Sequence, residues 1–162
     1  HDCLSMINEF DNLVFLRTLS KGYSLAGLRF GYGIGAESLI GPMIEKTRDS
    51  YNLDLLSQKV AVAGIADQTY AAGTWLKTRA ERGHLTDALN NLGYRVLPSQ
   101  TNFLLITPPP GLSALKIQEI LKQNDILVRY FSTSRLSDRI RLTIGTSEEN
   151  LQLIETLRSI NQ

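Results

Sequence analysis

The stretch Thr18-Leu19-Ser20-Lys21-Gly22-Tyr23-Ser24-Leu25-Ala26-Gly27-Leu28-Arg29-Phe30-Gly31 sets a lysine between an apolar run and a glycine-punctuated arginine. Just before it, Leu13-Val14-Phe15-Leu16 predicts a buried strand, bounded by Asp11-Asn12 on one side and by the polar Thr18 and Ser20 on the other. A second apolar stretch, Leu28 to Ile34, predicts another strand. A lysine just beyond the first strand would sit on the rim of a sheet, where open α/β folds place their ligands. Lys21 and Arg29 would then share one loop and face one pocket.

The composition frames what such a pocket could belong to. The chain has 162 residues, 43% hydrophobic and 20% charged, which is enough for one core or for two small subdomains. A formal net charge of +1, with no long block of like charge, argues against a nucleic-acid surface, so any anion site must be local. The single cysteine, Cys3, excludes an intrachain disulfide framework and a multi-cysteine metal site, and suits a reducing, cytoplasmic setting. Nothing reads as a membrane span or a signal peptide. His1-Asp2-Cys3 lacks an initiator methionine, and the first strand begins about a dozen residues on, so the chain reads as a piece of something longer.

Downstream, Ala36 to Arg48 has apolar residues at helical spacing, with Pro42 expected in the first turn. Leu53 to Ala66 predicts a mostly buried helix with Leu56, Val60, Ala63 and Ala66 on one face. Asp67-Gln68-Thr69 opens a longer helix. Its stripe is Leu76, Ala80, Leu85, Ala88, Leu89 and Leu92, with Lys77, Arg79, Glu81, Arg82 and Asp87 toward water, and Gly93 ends it as a left-handed cap. The character then changes. Tyr94 to Leu97 and Asn102 to Ile106 predict strands, Pro108 to Pro110 stop the second, and Ser113 caps a helix reaching Asn124. Ile126 to Tyr130 and Ile140 to Ile144 predict two more strands. Thr146-Ser147-Glu148-Glu149 has the capping-box spacing before a terminal helix with Leu151, Ile154, Leu157 and Ile160 inward. Strand, helix, strand, strand, helix makes a compact α/β subdomain.

The chemistry centres on the lysine. A free lysine amine is a nucleophile toward carbonyls. A guanidinium such as that of Arg29 can grip a phosphate through a planar fork, with the Ser20 hydroxyl donating to the same group. Taken as isolated residue types, Lys21 could equally be a solvated loop lysine and Arg29 the partner of a surface carboxylate.

The combination of Ser20-Lys21, Leu25-Ala26-Gly27-Leu28-Arg29 and Gly31 resembles the cofactor-attachment signature of the fold type I, class I/II pyridoxal-phosphate-dependent aminotransferases. The resemblance implies the end of the large cofactor-binding domain over residues 1–67 and the small C-terminal α/β domain over 68–162. It implies pyridoxal 5'-phosphate as cofactor, with Lys21 forming the Schiff base and shuttling the proton and with Ser20 and Arg29 holding the phosphate. Asn91 to Phe103, Ile126 to Arg129 and Arg141 to Thr146 resemble the histidinol-phosphate aminotransferase branch. By that likeness Arg141 receives the substrate's acidic group, Arg129 is a second anion contact, and Asn102 is a weaker substrate contact. The implied activity is amino transfer between histidinol phosphate and 2-oxoglutarate, in histidine biosynthesis, by a cytoplasmic homodimer. Related enzymes acting on aromatic or other amino acids share the same lysine loop. The family's aspartate for the pyridine nitrogen, with its tyrosine and asparagine companions, has no match here, since Asp2 and Asp11 do not fit that motif. Only the C-terminal portion of the family is therefore expected, with part of the active site missing.

Other readings come from the same residues. Gly31-Tyr32-Gly33-Ile34-Gly35-Ala36 satisfies the dinucleotide fingerprint G-x-G-x-x-A, but lacks an acidic strand end about 20 positions on. The aminotransferase fold also serves as a non-catalytic effector module in some transcription regulators. For Arg129 and Arg141 the plain alternative is an interstrand ion pair with Asp125 or Asp138. His84 is expected to be packed or solvent-facing rather than a metal ligand, and no metal site is expected. Cys3 has no visible activating partner.

Overall fold

The computed structural model describes residues 3–160; Asp2, weighed above, lies outside them. The described chain divides between Thr74 and Trp75 into two compact units. That division falls inside a helix, some residues beyond the boundary expected at residue 67.

The first unit is organised on a two-stranded antiparallel ribbon, β1 (Val14–Thr18) and β2 (Gly31–Gly35), with Val14 opposite Gly35 and Thr18 opposite Gly31. The strand expected to be buried is not: Leu16 is 83% exposed, because a two-stranded ribbon covers little of its own surface. The second strand is also shorter than Leu28 to Ile34, since Ala26–Leu28 instead forms a 3₁₀ turn. Glycines let β2 approach its partner: a Cβ on Gly31 would lie 2.9 Å from the Arg17 carbonyl oxygen, and one on Gly35 would lie 3.0 Å from that of Leu13. The dinucleotide reading fails here. Its glycines run along an antiparallel strand rather than around the turn between a strand and a helix.

Two helices follow, α1 (Glu37–Lys46) and α2 (Leu55–Ala66). Pro42 lies in the interior of α1, not its first turn, so the helix carries a missing N–H donor. The start of α2 is fixed by Asp54, whose side chain accepts from the Ser57 N–H at 2.8 Å and from the Ser57 hydroxyl at 2.6 Å. Those bonds hold the Asp54 carboxyl below its ordinary range. The expectation of a mostly buried helix is corrected: only Ser57 and Ala61 are buried, while Leu55, Leu56 and Val62 are each about 70% exposed. Besides the face with Leu56, Val60, Ala63 and Ala66, apolar residues such as Leu55, Val62 and Ile65 continue around the helix, and such a run does not tell a buried helix from one with uncovered faces.

The long helix α3 (Gln68–Asn91) leads into the second unit. Gly93, at φ +83°, ends it, and the Tyr94 N–H reaches back to the Leu89 carbonyl at 3.0 Å. The second unit's sheet has the order β3 (Arg95–Val96), β4 (Phe103–Thr107), β6 (Ile140–Thr143), β5 (Arg129–Tyr130), all antiparallel. β5 is shorter than the strand expected from Ile126 onward. The helices α4 (Ala114–Gln123) and α5 (Ser147–Ile160) complete the unit. One sheet face, with Leu104, Ile106, Ile140 and Leu142, packs on Leu85 and Leu89 of α3, Ile117 and Leu121 of α4, and Leu153, Ile154 and Leu157 of α5. Leu76 and Leu151, expected on inward stripes, are instead 64% and 59% exposed. Tyr94 is buried in this core, which pushes its hydroxyl pKa up to about 12.

Candidate functional site

In the first unit the decisive loop leaves β1 at Thr18 and returns at Gly31. Leu19, 1% exposed, anchors it: its N–H donates to the Phe30 carbonyl at 3.3 Å and its carbonyl accepts from Leu25 at 3.1 Å. Leu25 packs on α2 at Gly64, where a Cβ would meet its Cδ1 at 2.8 Å. Gln68 donates to the Tyr23 hydroxyl at 3.3 Å. Between these anchors, Lys21 is exposed, and the Lys21 carbonyl takes the Ser24 N–H at 3.2 Å in a tight turn.

The polar groups of the loop keep hydrogen-bond donors unused. The Thr18 hydroxyl donates to Ser20 Oγ at 2.8 Å, which leaves the Ser20 hydroxyl hydrogen for another acceptor. Arg29 has left-handed backbone, φ 56°, as does Ser24 at φ 58°. Its guanidinium donates to the Ala26 carbonyl at 2.9 Å, fixing the group while most of its donors stay available. Among the described residues, neither Lys21 nor Arg29 forms an ion pair with a carboxylate. The surface-carboxylate reading of Arg29 thus finds no support.

In the second unit the strand register brings Arg129 and Arg141 directly opposite one another. Like charges so placed repel, and the pair needs compensation. None comes from Asp125 or Asp138: Asp138 pairs with Arg139 at 3.4 Å, and among the described residues neither Arg129 nor Arg141 has a carboxylate partner. Aromatic rings stand there instead. The Arg129 guanidinium lies 5.5 Å from the centroid of Phe131, and that of Arg141 lies 5.3 Å from Phe103 and 6.0 Å from Phe131. Strand alternation puts these arginines on the sheet face opposite the core, since Ile140 and Leu142 on either side of Arg141 are buried. Asn102 is half-buried just before β4, and its carbonyl accepts from Ile144 at 3.0 Å.

A separate polar knot closes the end of β6. The Thr146 N–H donates to Glu149 Oε2 at 2.8 Å and the Glu149 N–H to Thr146 Oγ1 at 3.3 Å, the reciprocal capping box expected from sequence. Asn150, 7% exposed, accepts from the Gly145 N–H at 3.0 Å and donates to the Gly145 carbonyl at 3.2 Å. It also donates to Glu81 Oε2 at 2.8 Å, while the Ser147 hydroxyl donates to Glu81 Oε1 at 2.7 Å. The Ser147 bond, then that from Asn150, holds the Glu81 carboxyl below its ordinary range. Glu81 was expected to face water; its side chain is 19% exposed because it ties α3 to the start of α5. His84, 77% exposed, lies 3.8 Å from the same carboxylate. No group of metal-ligating side chains occurs among the described residues, and no helix there is long and apolar enough to cross a membrane.

In the first unit one loop carries a lysine, a hydroxyl and a guanidinium; in the second, one sheet face carries two guanidiniums without a carboxylate partner among the described residues. The family profile of aminotransferase class I and II matches residues 3–157. The chain belongs to that family. Among its relatives, histidinol-phosphate aminotransferase 1 of Trichormus variabilis is 45% identical over 157 residues, spanning 97% of this chain and 44% of the relative. The histidinol-phosphate aminotransferase of Synechocystis is 42% identical, spanning 98% of this chain and 45% of the relative. The chain therefore spans less than half the length of these relatives. Among solved structures, the histidinol-phosphate aminotransferase of Clostridium acetobutylicum superposes with a TM-score of 0.90 at 23% identity, covering 99% of this chain and 49% of its own. That of Sinorhizobium meliloti, in complex with pyridoxal-5'-phosphate, gives 0.82 at 26% identity, covering 96% and 43%. The α/β fold expected from the lysine loop is thus the fold of the aminotransferases.

The stacking rings and the Asn150–Glu81 knot were not foreseen. Phe131 is two residues from Arg129, so a strand reading already sets both on one face. The approach of Phe103 to Arg141 needs the register between β4 and β6.

Proposed function

We propose that the protein to which this chain belongs is a pyridoxal-phosphate-dependent aminotransferase that moves the amino group of histidinol phosphate to 2-oxoglutarate. The reading places it in histidine biosynthesis, as a cytoplasmic homodimer. The observation that carries it is the aminotransferase lysine loop, with Lys21 and Arg29 free of carboxylate partners among the described residues. Two relatives above 40% identity bearing the histidinol-phosphate name favour that amino donor.

The loop residues suit the cofactor's phosphate and aldehyde end. Ser20 has a hydroxyl hydrogen to give, and Arg29 has an anchored guanidinium with unused donors. When bound, pyridoxal phosphate would supply the carbonyl that takes the amino group and the conjugated ring that accepts electrons. Ser20 Oγ and the Arg29 guanidinium would hold its phosphate. Lys21 Nζ would be the point of covalent attachment, and once displaced by the donor amine it would carry the proton between carbon atoms as a general base and acid. Arg141 and Arg129 would orient the anionic groups of the donor and of the oxo acid, and Asn102 would offer a further polar contact. Fixing reactants in this way is a large part of the acceleration that orientation supplies.

The test is borohydride trapping on the full-length protein. Reduction in the presence of pyridoxal phosphate should fix the cofactor to the Lys21 peptide, and Lys21→Ala should abolish both the adduct and turnover. An adduct that survives in Lys21→Ala overturns the assignment. Equal turnover of phenylalanine and histidinol phosphate would leave the aminotransferase and remove the choice of donor.

A further inference from the structure

The two guanidiniums on the β5–β6 face pose a physical problem. Arg129 and Arg141 are register partners, so their Cβ atoms are held roughly 5 Å apart and their charges repel. No carboxylate among the described residues relieves this. Arginine side chains are long enough to splay away from each other into water, which would dissolve any shared site. They instead converge on one ring: Phe131 is within 5.5 Å of the Arg129 guanidinium and 6.0 Å of that of Arg141. Phe103 serves Arg141 alone.

We infer that Phe131 is a positioning residue of the anion site, a half-buried aromatic platform that keeps the Arg129 and Arg141 guanidiniums side by side. The inference rests on the reading of those arginines as substrate-anion contacts. A guanidinium stacked on a ring spends its π face on the contact and keeps its N–H donors in the plane of the group, directed outward. Two such groups sharing a ring present a double fork to one anion. A ring also offsets part of the mutual repulsion without supplying a carboxylate that would compete with the substrate for the same donors. An aliphatic residue at 131 would fill similar space but present no negative π face, so the arginines would separate and each substrate encounter would have to gather them again.

The experiment uses the full-length protein loaded with pyridoxal phosphate. Phe131→Leu should raise KM for histidinol phosphate about three- to fivefold, as expected for one exposed cation–π contact, with kcat unchanged because the loss is of binding alone. Competitive inhibition by inorganic phosphate should weaken by the same factor, and Phe131→Tyr, which keeps the ring, should restore both. A Phe131→Leu enzyme within about twofold of wild type on both measures overturns the proposal, as does a loss that Phe131→Tyr fails to restore. Arg129→Gln and Arg141→Gln separate this from the underlying reading. If they weaken phosphate inhibition and Phe131→Leu does not, the platform alone is refuted. If neither arginine variant weakens it, the anion site falls and the platform with it. Should Phe131→Leu not fold, the side-chain Hε resonances of Arg129 and Arg141 in the wild-type protein decide. Upfield displacement by the ring supports the stack, and random-coil positions overturn it.

Discussion

Replacing Asn150 by alanine is expected to be among the more damaging single polar substitutions in the second unit. The residue is 7% exposed and its amide makes a two-way exchange with the Gly145 backbone, at 3.0 and 3.2 Å. Each neutral bond nets about 0.5 to 1.5 kcal/mol, so the Gly145 pair alone contributes about 2 kcal/mol. Truncation also leaves the half-buried Gly145 N–H and carbonyl without their side-chain partner at the β6–α5 junction. For a unit of this size about 1 kcal/mol shifts Tm by about 4–8 °C, so Asn150→Ala should lower it by roughly 8–16 °C. The assay is thermal and urea unfolding followed by far-UV circular dichroism at neutral pH. Asn150→Asp is the sharper comparison. It keeps an acceptor for the Gly145 N–H but replaces the N–H₂ donor with a carboxylate facing Glu81, which bonds to Asn150 at 2.8 Å. The Asp variant should therefore remain well below wild type at neutral pH and recover on acidification. A loss under about 0.5 kcal/mol for alanine, or an Asp variant as stable as wild type at neutral pH, would refute the account of the knot.

Three further outcomes follow from neighbouring observations. Glu81 is held below its ordinary range by Ser147 and then Asn150, so its bonds stabilise the fold above the unfolded carboxylate pKa and are lost as pH falls through the lower folded value. The Tm gap between wild type and Glu81→Gln should accordingly be widest near neutrality and close in acid; a gap independent of pH would contradict this. Gly31→Ala should cost about 1–3 kcal/mol and accelerate hydrogen exchange across β1 and β2, because its Cβ would sit 2.9 Å from a backbone oxygen that cannot step aside. Gly83→Ala, whose Cβ would meet no atom within 4 Å outside its chain neighbours and its own helix backbone, should instead stabilise α3 by about 0.5–1 kcal/mol, and an unfolding midpoint at or below wild type would speak against it.

How far the sequence reached differs between the two units. In the second, alternating strands such as Phe103–Thr107 and the caps at Gly93, Ser113 and Thr146 were legible, because periodicity and local hydrogen bonding act over a few residues. In the first, apolar runs invited burial that the structure does not give: Leu16, Leu55, Leu56 and Val62 are exposed. An apolar residue states a preference to be covered, but not whether an element of this chain does the covering. Glu81 failed for the opposite reason. A carboxylate on a helix reads as solvated until another segment, here the start of α5, brings it donors.

Sequence alone singled out Ser20, Lys21 and Arg29 as neighbours on one loop and Arg129 and Arg141 as candidates, because residue type and spacing are local properties. It took the folded sheet to show that Arg129 and Arg141 face each other, without a carboxylate partner among the described residues, and that Phe131 lies within 6.0 Å of both guanidiniums. Register, not composition, sets which side chains meet across strands, and register is fixed by the packing of the whole sheet on its helices.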